Sequence, residues 1–393
     1  MKRFLGRIGA RDLFPLKREL KEKRGAPMKF GILYNTDYYP EAHGSPAQYY
    51  QQILEQTQFE EELGFDAVWF GEHHYSGYSF GSPPVIAMAA AARTKRIRLG
   101  TGVSLVPLHH PIRLAEEYAM LDVLSGGRLE YGIGRGFLKY SHLVFGINED
   151  ENHERYHEGT DLIVKAWTAD GPFSYEGKFW QLQDYTFFPK PLQQPHPPIY
   201  ASAVVTPESA VYAGSRGFHL ATGLFVPARE KVRDIIALYR QTLCEYGFDP
   251  ATREVAGVYQ LYCGESQEEA RRNGGQYALQ YFRFFSTLDQ RALHTSKAFE
   301  HYGGGVSRIF AGRTYEDLEK ARLLMIGEPQ YIIEQIHWAQ EYYGTNYLIF
   351  EVAQGGEPHH LVMKSLERFA AHVMPVFRKQ EAQAPAASVP SPA

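Results

Sequence analysis

Three short stretches of this chain combine residue types that can do chemistry. In Val68-Trp69-Phe70-Gly71-Glu72-His73-His74-Tyr75 an apolar run stops abruptly in one carboxylate and two imidazoles. Such groups are costly at the end of a buried strand unless they line a wet pocket. Imidazole titrates near neutrality and can donate, accept or ligate there; the plain alternative is two surface histidines in a loop. Leu129-Glu130-Tyr131-Gly132-Ile133-Gly134-Arg135-Gly136 has the outline of a dinucleotide fingerprint, but Phe137 stands at the third glycine and no clean helix start follows. The other reading is a glycine-lined floor on which a flat ring could lie, with Arg135 aimed at an anion such as a phosphate. Thr206-Pro207-Glu208-Ser209 opens a helix whose first amides and hydroxyls could hold the same phosphate, or is an ordinary Thr cap followed by Pro.

A fourth stretch, His153-Glu154-Arg155-Tyr156-His157, matches the HExxH zinc pattern letter for letter. The residues before it, Asn148 to Asn152, are acidic and exposed in character, and no third ligand at metzincin spacing follows. No metal site is expected here.

What must position these groups is a succession of short apolar runs alternating with helical patterns, the signature of repeated βα units and a parallel sheet. Strands are expected at Lys29–Tyr34, Ala67–Phe70, Arg98–Val103, Leu129–Ile133, Pro198–Ser202, His219–Thr222, Val255–Tyr262 and Tyr347–Val352. Eight strands point to a closed α/β barrel, in which chemistry sits at the C-terminal ends of the strands. A helix before Ser125-Gly126-Gly127 is expected to bury Leu114, Tyr118, Leu121 and Leu124, and another runs from Tyr331 to Tyr343. Two stretches break the rhythm: 170–197, read as a β-hairpin excursion, and 281–326, read as polar helical pieces around Gly303-Gly304-Gly305. Excursions of that size are lids or partner surfaces.

Composition sets the boundaries. The chain has 393 residues, 44% hydrophobic and 22% charged, with a net charge of −4. Its longest wholly apolar run, Val85 to Ala92, is far short of the ~20 residues a spanning helix needs, so no membrane partner is expected. Cys244 and Cys263 provide neither a disulfide framework nor a thiolate metal site, which suits a reducing, cytoplasmic compartment. Residues 1–27 carry nine Lys/Arg against three acids and read as a basic extension; the acidic remainder argues against nucleic acid. Residues 380–393, rich in Ala, Pro and Ser, read as a disordered tail.

Taken in order, Gly64-Phe65-Asp66-Ala67-Val68-Trp69, Glu72-His73-His74, Gly100-Thr101-Gly102, Pro107, His110-Pro111-Ile112-Arg113, Ser125-Gly126-Gly127-Arg128, Gly132 to Gly136 and Ile326-Gly327-Glu328-Pro329 resemble the luciferase-like flavin monooxygenases. The likeness runs from Met28 to about Pro375. It implies a (β/α)8 barrel of the TIM type with insertions, spanning 28–379. It also implies a flavin lying near Gly102, Val103 and Gly134, with a non-prolyl cis peptide at Gly102-Val103 beneath the ring. Arg135 matches a phosphate-binding arginine, Thr206 and Ser209 stand where further phosphate contacts belong, and His73 matches the histidine of the oxygen chemistry, with His74 beside it. Two departures are Gly134, where luciferases often carry cysteine, and Val204-Val205-Thr206 in place of an Ala-Glu-Ser stretch, which removes a glutamate. The activity implied is monooxygenation of a small organic substrate by O2 through a flavin peroxide, with FMN reduced by a separate flavin reductase. A deazaflavin-dependent hydride transferase and a non-catalytic flavin-binding protein are the alternatives on the same fold. Tyr34, Tyr38, Tyr39 and Tyr75 near the mouth suggest an apolar or aromatic substrate. The alanines of 87–92, with the family's use of its early helices, imply a homodimer.

Overall fold

Each expected strand is present in the computed structural model, which describes residues 28–35, 37–74, 77, 80–136, 138–288 and 312–381. The basic stretch 1–27, the tail beyond 381, Tyr75 and the triple glycine 303–305 lie outside the described residues. Among the described residues eight parallel strands close on themselves: β1 (Lys29–Tyr34), β2 (Ala67–Phe70), β3 (Arg98–Thr101), β4 (Leu129–Gly134), β5 (Ile199–Ser202), β6 (His219–Gly223), β7 (Val255–Cys263) and β8 (Tyr347–Glu351). Each pairs with the next, and β8 returns to β1 with Tyr347 opposite Lys29. A helix follows every strand: α1 (Pro46–Leu63), α2 (Pro83–Arg93), α3 (Pro111–Ser125), α4 (Asn152–Thr168), α5 (Pro207–Ser215), α6 (Arg229–Glu245), α7 (Pro329–Tyr343) and α8 (His359–His372). This is a (β/α)8 barrel of the TIM type. Its strands are apolar on both faces because one face meets the helices and the other the barrel interior.

Local chemistry sets the helix ends. Ser45 opens α1 with a reciprocal box to Gln48, and Gly64 ends it in the left-handed conformation at φ 85°. Gly126 ends α3 in the same way. Of the stripe expected on α3, Leu114, Tyr118 and Leu121 are buried but Leu124 is 65% exposed. At about 100° per residue, Leu124 has rotated some 80° off the Leu114 direction, and Ser125 is buried instead.

The first excursion is an antiparallel hairpin, Phe173–Glu176 with Gln181–Tyr185. It is clasped to α4 by the Glu158 carboxylate, which accepts from the amides of Lys178 (3.1 Å), Phe179 (3.0 Å) and Trp180 (3.0 Å). The second excursion differs from its expected polar character. A helix, Gln276–Leu288, begins before it, and Leu324–Gly327 is a fully buried strand that pairs outside the ring with the overhanging end of β7, Leu324 opposite Gln260.

Inside the barrel, Leu33, Trp69, Tyr200, Tyr347 and Ile349 pack together. The indole Nε1 of Trp69 donates to the Tyr347 hydroxyl (2.8 Å), which donates to Glu130 Oε2 (3.1 Å), and Arg98 Nε meets Glu130 Oε1 at 2.7 Å. Lys29 Nζ lies 2.5 Å from Glu254, whose other oxygen accepts from the Tyr200 hydroxyl at 2.5 Å. Burial raises the Glu130 carboxyl above its ordinary value, with Arg98 opposing.

Gly132 of β4 faces this packing with no room for a side chain, since a Cβ there would sit 1.8 Å from the Thr101 carbonyl oxygen and 2.9 Å from the Trp69 ring. Gly132→Ala should lower unfolding stability by about 1–3 kcal/mol. Gly171→Ala, where nothing lies within 4 Å, should leave it within about 0.5 kcal/mol; chemical denaturation of the two variants checks the contrast.

Candidate functional site

Residues at or just past the C-terminal ends of seven strands, with Val258 from within β7, line one cavity of about 600 Å³, a volume typical of small-molecule sites. His73 enters it just past β2, and Gly102 and Val103 past β3. Gly134 and Arg135 enter at the end of β4, and Thr206 and Ser209 at the start of α5. The Gly102–Val103 peptide is cis. A Cβ on Gly134 would lie 2.4 Å from Val103 Cγ2, and one on Gly102 2.8 Å from Leu33 Cδ1. Bare backbone at Gly102 and Gly134 is therefore what allows the chain to approach Leu33 and Val103 this closely at the mouth.

His74 is placed differently. Its Nε2 meets Glu72 Oε1 at 2.8 Å and its ring packs edge-on against Phe145 at 4.6 Å; it is not among the residues lining the cavity. Sequence reasoning missed the group that completes this arrangement, His109, whose Nε2 meets the same Glu72 oxygen at 2.5 Å while the Leu105 amide donates to Oε2 at 2.9 Å. Burial alone would raise the Glu72 carboxyl, but the bonds from His109 and His74 outweigh it and bring it from 4.5 to about 2. The same interaction, seen from the other partner, raises His109. His73 goes the opposite way: burial, opposed by Glu72, lowers it from 6.5 to about 4, so it is a neutral imidazole at pH 7, able to donate from one nitrogen and accept at the other.

The side of the cavity formed by β4, β5 and β6 is cationic. Arg135 and Lys231 line it, with Arg313 also on the cavity wall. Thr206 is at the N-cap position of α5 without a side-chain cap bond, and its buried hydroxyl has no partner among the described residues. Amides at a helix start and an unfilled hydroxyl beside cations suit an anion. Lys231 and Arg313 gave no sequence signal, because each looks like one more exposed cation of a helix or loop. Across the mouth, Asn35 past β1 and Glu351 at the end of β8 also line the cavity. The one signal for Glu351 was an acid ending an apolar run, as at Glu72. Tyr34, Tyr38 and Tyr39, expected at the mouth, do not line the cavity; the Tyr34 hydroxyl bonds to Glu60 at 2.5 Å and that of Tyr38 to the Gly44 carbonyl at 2.6 Å. Among the described residues the Phe, Tyr and Trp side chains lining the cavity are Trp69 and Phe225.

The HExxH residues do lie on a helix, α4, despite their acidic lead. Glu154 pairs with Lys178 at 2.5 Å, and the His157 ring stacks on Tyr212 with centroids 4.0 Å apart. Burial, together with Arg135 and Arg216, lowers His157 to about 4. The described groups that come together at metal-ligand spacing are instead Glu72, His74 and His109, already joined by hydrogen bonds.

A sequence profile of the luciferase-like monooxygenases matches residues 28–346. The chain belongs to this family. The oxygenase component of a flavin-dependent trigonelline monooxygenase from Acinetobacter baylyi is 29% identical to it over 85% of this chain and 91% of that one. Among solved structures, the monooxygenase RslO1 from Streptomyces bottropensis superposes with a TM-score of 0.77 at 29% identity, covering 89% of this chain and all of that one. The oxygenating constituent of 3,6-diketocamphane monooxygenase from Pseudomonas putida, in complex with FMN, has a TM-score of 0.74 at 21% identity over 89% and 98% of the two chains. That last likeness is one of fold. This luciferase-like chain is thus a flavin-dependent monooxygenase, an oxidoreductase of the family. No helix among its described residues is long and apolar enough to cross a membrane.

The Glu72 carboxylate gives a pH test. A folded value of about 2 against 4.5 contributes stability that is present above pH 4.5 and is lost as the pH falls toward 2, about 3 kcal/mol in all. Glu72→Gln should therefore cost about that much at pH 7 and progressively less below pH 4.5. Urea melts across that range check it, and a penalty independent of pH would show that the imidazole pair is not what lowers the carboxylate.

Proposed function

We propose that the protein is the oxygenase half of a two-component system, taking reduced FMN from a separate flavin reductase and using O2 to oxygenate a small organic substrate in the cavity described above. The observation that carries this reading is the polarity of that cavity. It is one continuous space with a bare-backbone floor, cations and the unfilled Thr206 hydroxyl on one side, and a neutral imidazole at the other. These residues fit a flat ring bearing a phosphate: Arg135, Lys231, Thr206 and Ser209 would hold the phosphate, while Gly102, Val103 and Gly134 would lie beneath the ring. When bound, reduced FMN supplies the electrons that activate O2.

The chain's own residues do the rest. Leu33, Val204, Val205, Val226 and Ile349 give the walls an apolar surface that keeps bulk water from the reacting atoms. His73, uncharged at neutral pH, lies at the reacting end and can hold or pass a proton there. Glu72 cannot share this work, because its charge is committed to His109 and His74.

A homodimer is part of the proposal. Of the alanines on α2, Ala87, Ala90 and Ala91 are buried within the protomer itself. What α2 and α3 leave outside is larger: Val85 at 69% exposure, with Met120, Val123 and Leu124 also exposed. Apolar side chains on two adjacent helices form a face suited to a two-fold partner. The two cysteines are free, in keeping with the reducing, cytoplasmic compartment proposed here.

Two outcomes are expected. Arg135→Ala should weaken FMN about ten- to hundredfold, the equivalent of about 1.5–3 kcal/mol, with little effect on riboflavin, which lacks the phosphate. His73→Ala should bind FMN within a small factor of wild type yet return the electrons as hydrogen peroxide instead of oxygenated product. Equal weakening of riboflavin would remove Arg135 from the phosphate, and full coupling to product in His73→Ala would remove the imidazole from the chemistry. In sedimentation at micromolar concentration the wild type should run as a dimer and Leu124→Lys should shift toward monomer; a monomeric wild type would end the assembly proposal.

A further inference from the structure

The side of the cavity opposite Arg135 and Lys231 carries a carboxyl that forms no ion pair among the described residues. Glu351 ends β8, is buried, and lines the cavity together with Asn35 past β1. In an eight-stranded ring, β8 and β1 stand across from β4 and β5, so Glu351 faces the substrate half of the space and not the phosphate half. Its Oε1 accepts from Asn35 Nδ2 (3.0 Å) and the Tyr281 hydroxyl (3.2 Å), and its Oε2 from Gln260 Nε2 (3.0 Å). All three donors are neutral. Among the described residues Glu351 forms no ion pair with a lysine, arginine or histidine, in contrast to Glu130 and Glu254, which have one each, and Glu72, which has two.

The shell around it is short of donors as well. The Oδ1 of Asn35 and the Oε1 of Gln260, on the two amides that hold Glu351, are buried with no partner among the described residues. Behind them, Asp37 and Glu357 are also buried, held by the amides of Gly355 and Ala353, and each keeps one carboxyl oxygen unfilled. A buried carboxylate surrounded by acceptors and lacking a countercharge is costly to keep. Such a group either takes up a proton or is met by a cation from elsewhere.

We propose that Glu351, fixed by Asn35, Gln260 and Tyr281, is the substrate anchor of this cavity and that it takes a positively charged nitrogen, a protonated or quaternary ammonium, as part of the molecule to be oxygenated. This deepens the proposed function and rests on it for the meaning of "substrate". Burial moves the Glu351 carboxyl from 4.5 up to about 7, with Asn35, Tyr281 and Gln260 opposing and Asp37 adding to the rise. The anchor is thus charged above neutrality and discharged below it. The other titrating groups on the elements packed around it are Asp37, raised to about 6, Glu357, raised to about 8, Tyr281, and His73 and Glu72 past β2, lowered to about 4 and about 2. A Glu351→Gln variant keeps all of these and removes the one in question.

The test uses two probes of the same shape, phenyltrimethylammonium and tert-butylbenzene, titrated calorimetrically into the FMN-loaded protein. At pH 8 the wild type should prefer the cation at least about tenfold, and that preference should fall about tenfold by pH 6 as the carboxyl takes up its proton. In Glu351→Gln the preference should vanish at both pH values while FMN affinity is unchanged, and Glu351→Asp, which keeps the charge, should retain it. A wild type that binds both probes alike, or a Glu351→Gln variant that still prefers the cation, overturns the inference. A wild type that fails to bind FMN overturns the flavin reading instead, so the two failures are separate. Unaltered FMN binding in each variant shows that the loss of a probe is not a loss of fold.

Discussion

One indole governs how this barrel is built. Trp69 points into the interior from β2, and the strands beside it carry glycine because nothing larger fits: a Cβ on Gly100 would sit 2.1 Å from the ring, and one on Gly132 2.9 Å. Its N–H begins the chain of hydrogen bonds through Tyr347 and Glu130 to Arg98. The ring also lines the cavity, so the same side chain fills the barrel and supports what lies above. Packing at near-crystalline density leaves such a large group few alternative positions. Where β3 and β4 pass the indole, at Gly100 and Gly132, the chain is bare backbone.

Above that floor the polar groups divide by function. Glu72 is buried and charged, with its carboxylate held by two imidazoles and an amide. His73, one residue along, is neutral for the opposite reason, since burial disfavours its cation more than Glu72 stabilises it. The cavity wall also carries Arg135, Lys231 and Arg313, with Glu351 across from the first two. In a low-dielectric cavity such a separation orients a dipolar occupant before any specific contact forms.

The fold was legible because all eight ring strands are apolar runs of a length that only a strand explains, each followed by a helix with recognisable ends such as Gly64 and Gly126. Leu324–Gly327 escaped notice because its four apolar residues follow a long polar segment and pair outside the ring. At the site, the residues read from strand ends and glycines, His73, Gly102, Val103, Gly134 and Arg135, do meet in one cavity with Thr206 and Ser209. His74 was not separable from His73 by type or position; only the direction of successive side chains distinguishes them, and one step along an extended chain reverses that direction. His109 was invisible as a partner of Glu72 because the two are 37 residues apart and meet only through the closeness of the loops after β2 and β3. Lys231, Arg313 and Glu351 were obscured in the same way, since charge at a helix start or a strand end is common and only the closed ring turns it inward.

The clasp between α4 and the hairpin has a consequence for how such a protein can be recombined. Three hairpin amides depend on one carboxylate that lies some twenty residues earlier, and a side chain on Gly177 would meet that carboxylate at 1.9 Å. Positions 158 and 177 are therefore not independent: a side chain at the turn would have to displace the carboxylate that holds the hairpin, and would also meet the Tyr175 ring at 2.7 Å. A chimera that exchanged residues 170–197 as a cassette would separate the two halves of this lock. The natural unit of exchange in this barrel begins inside α4.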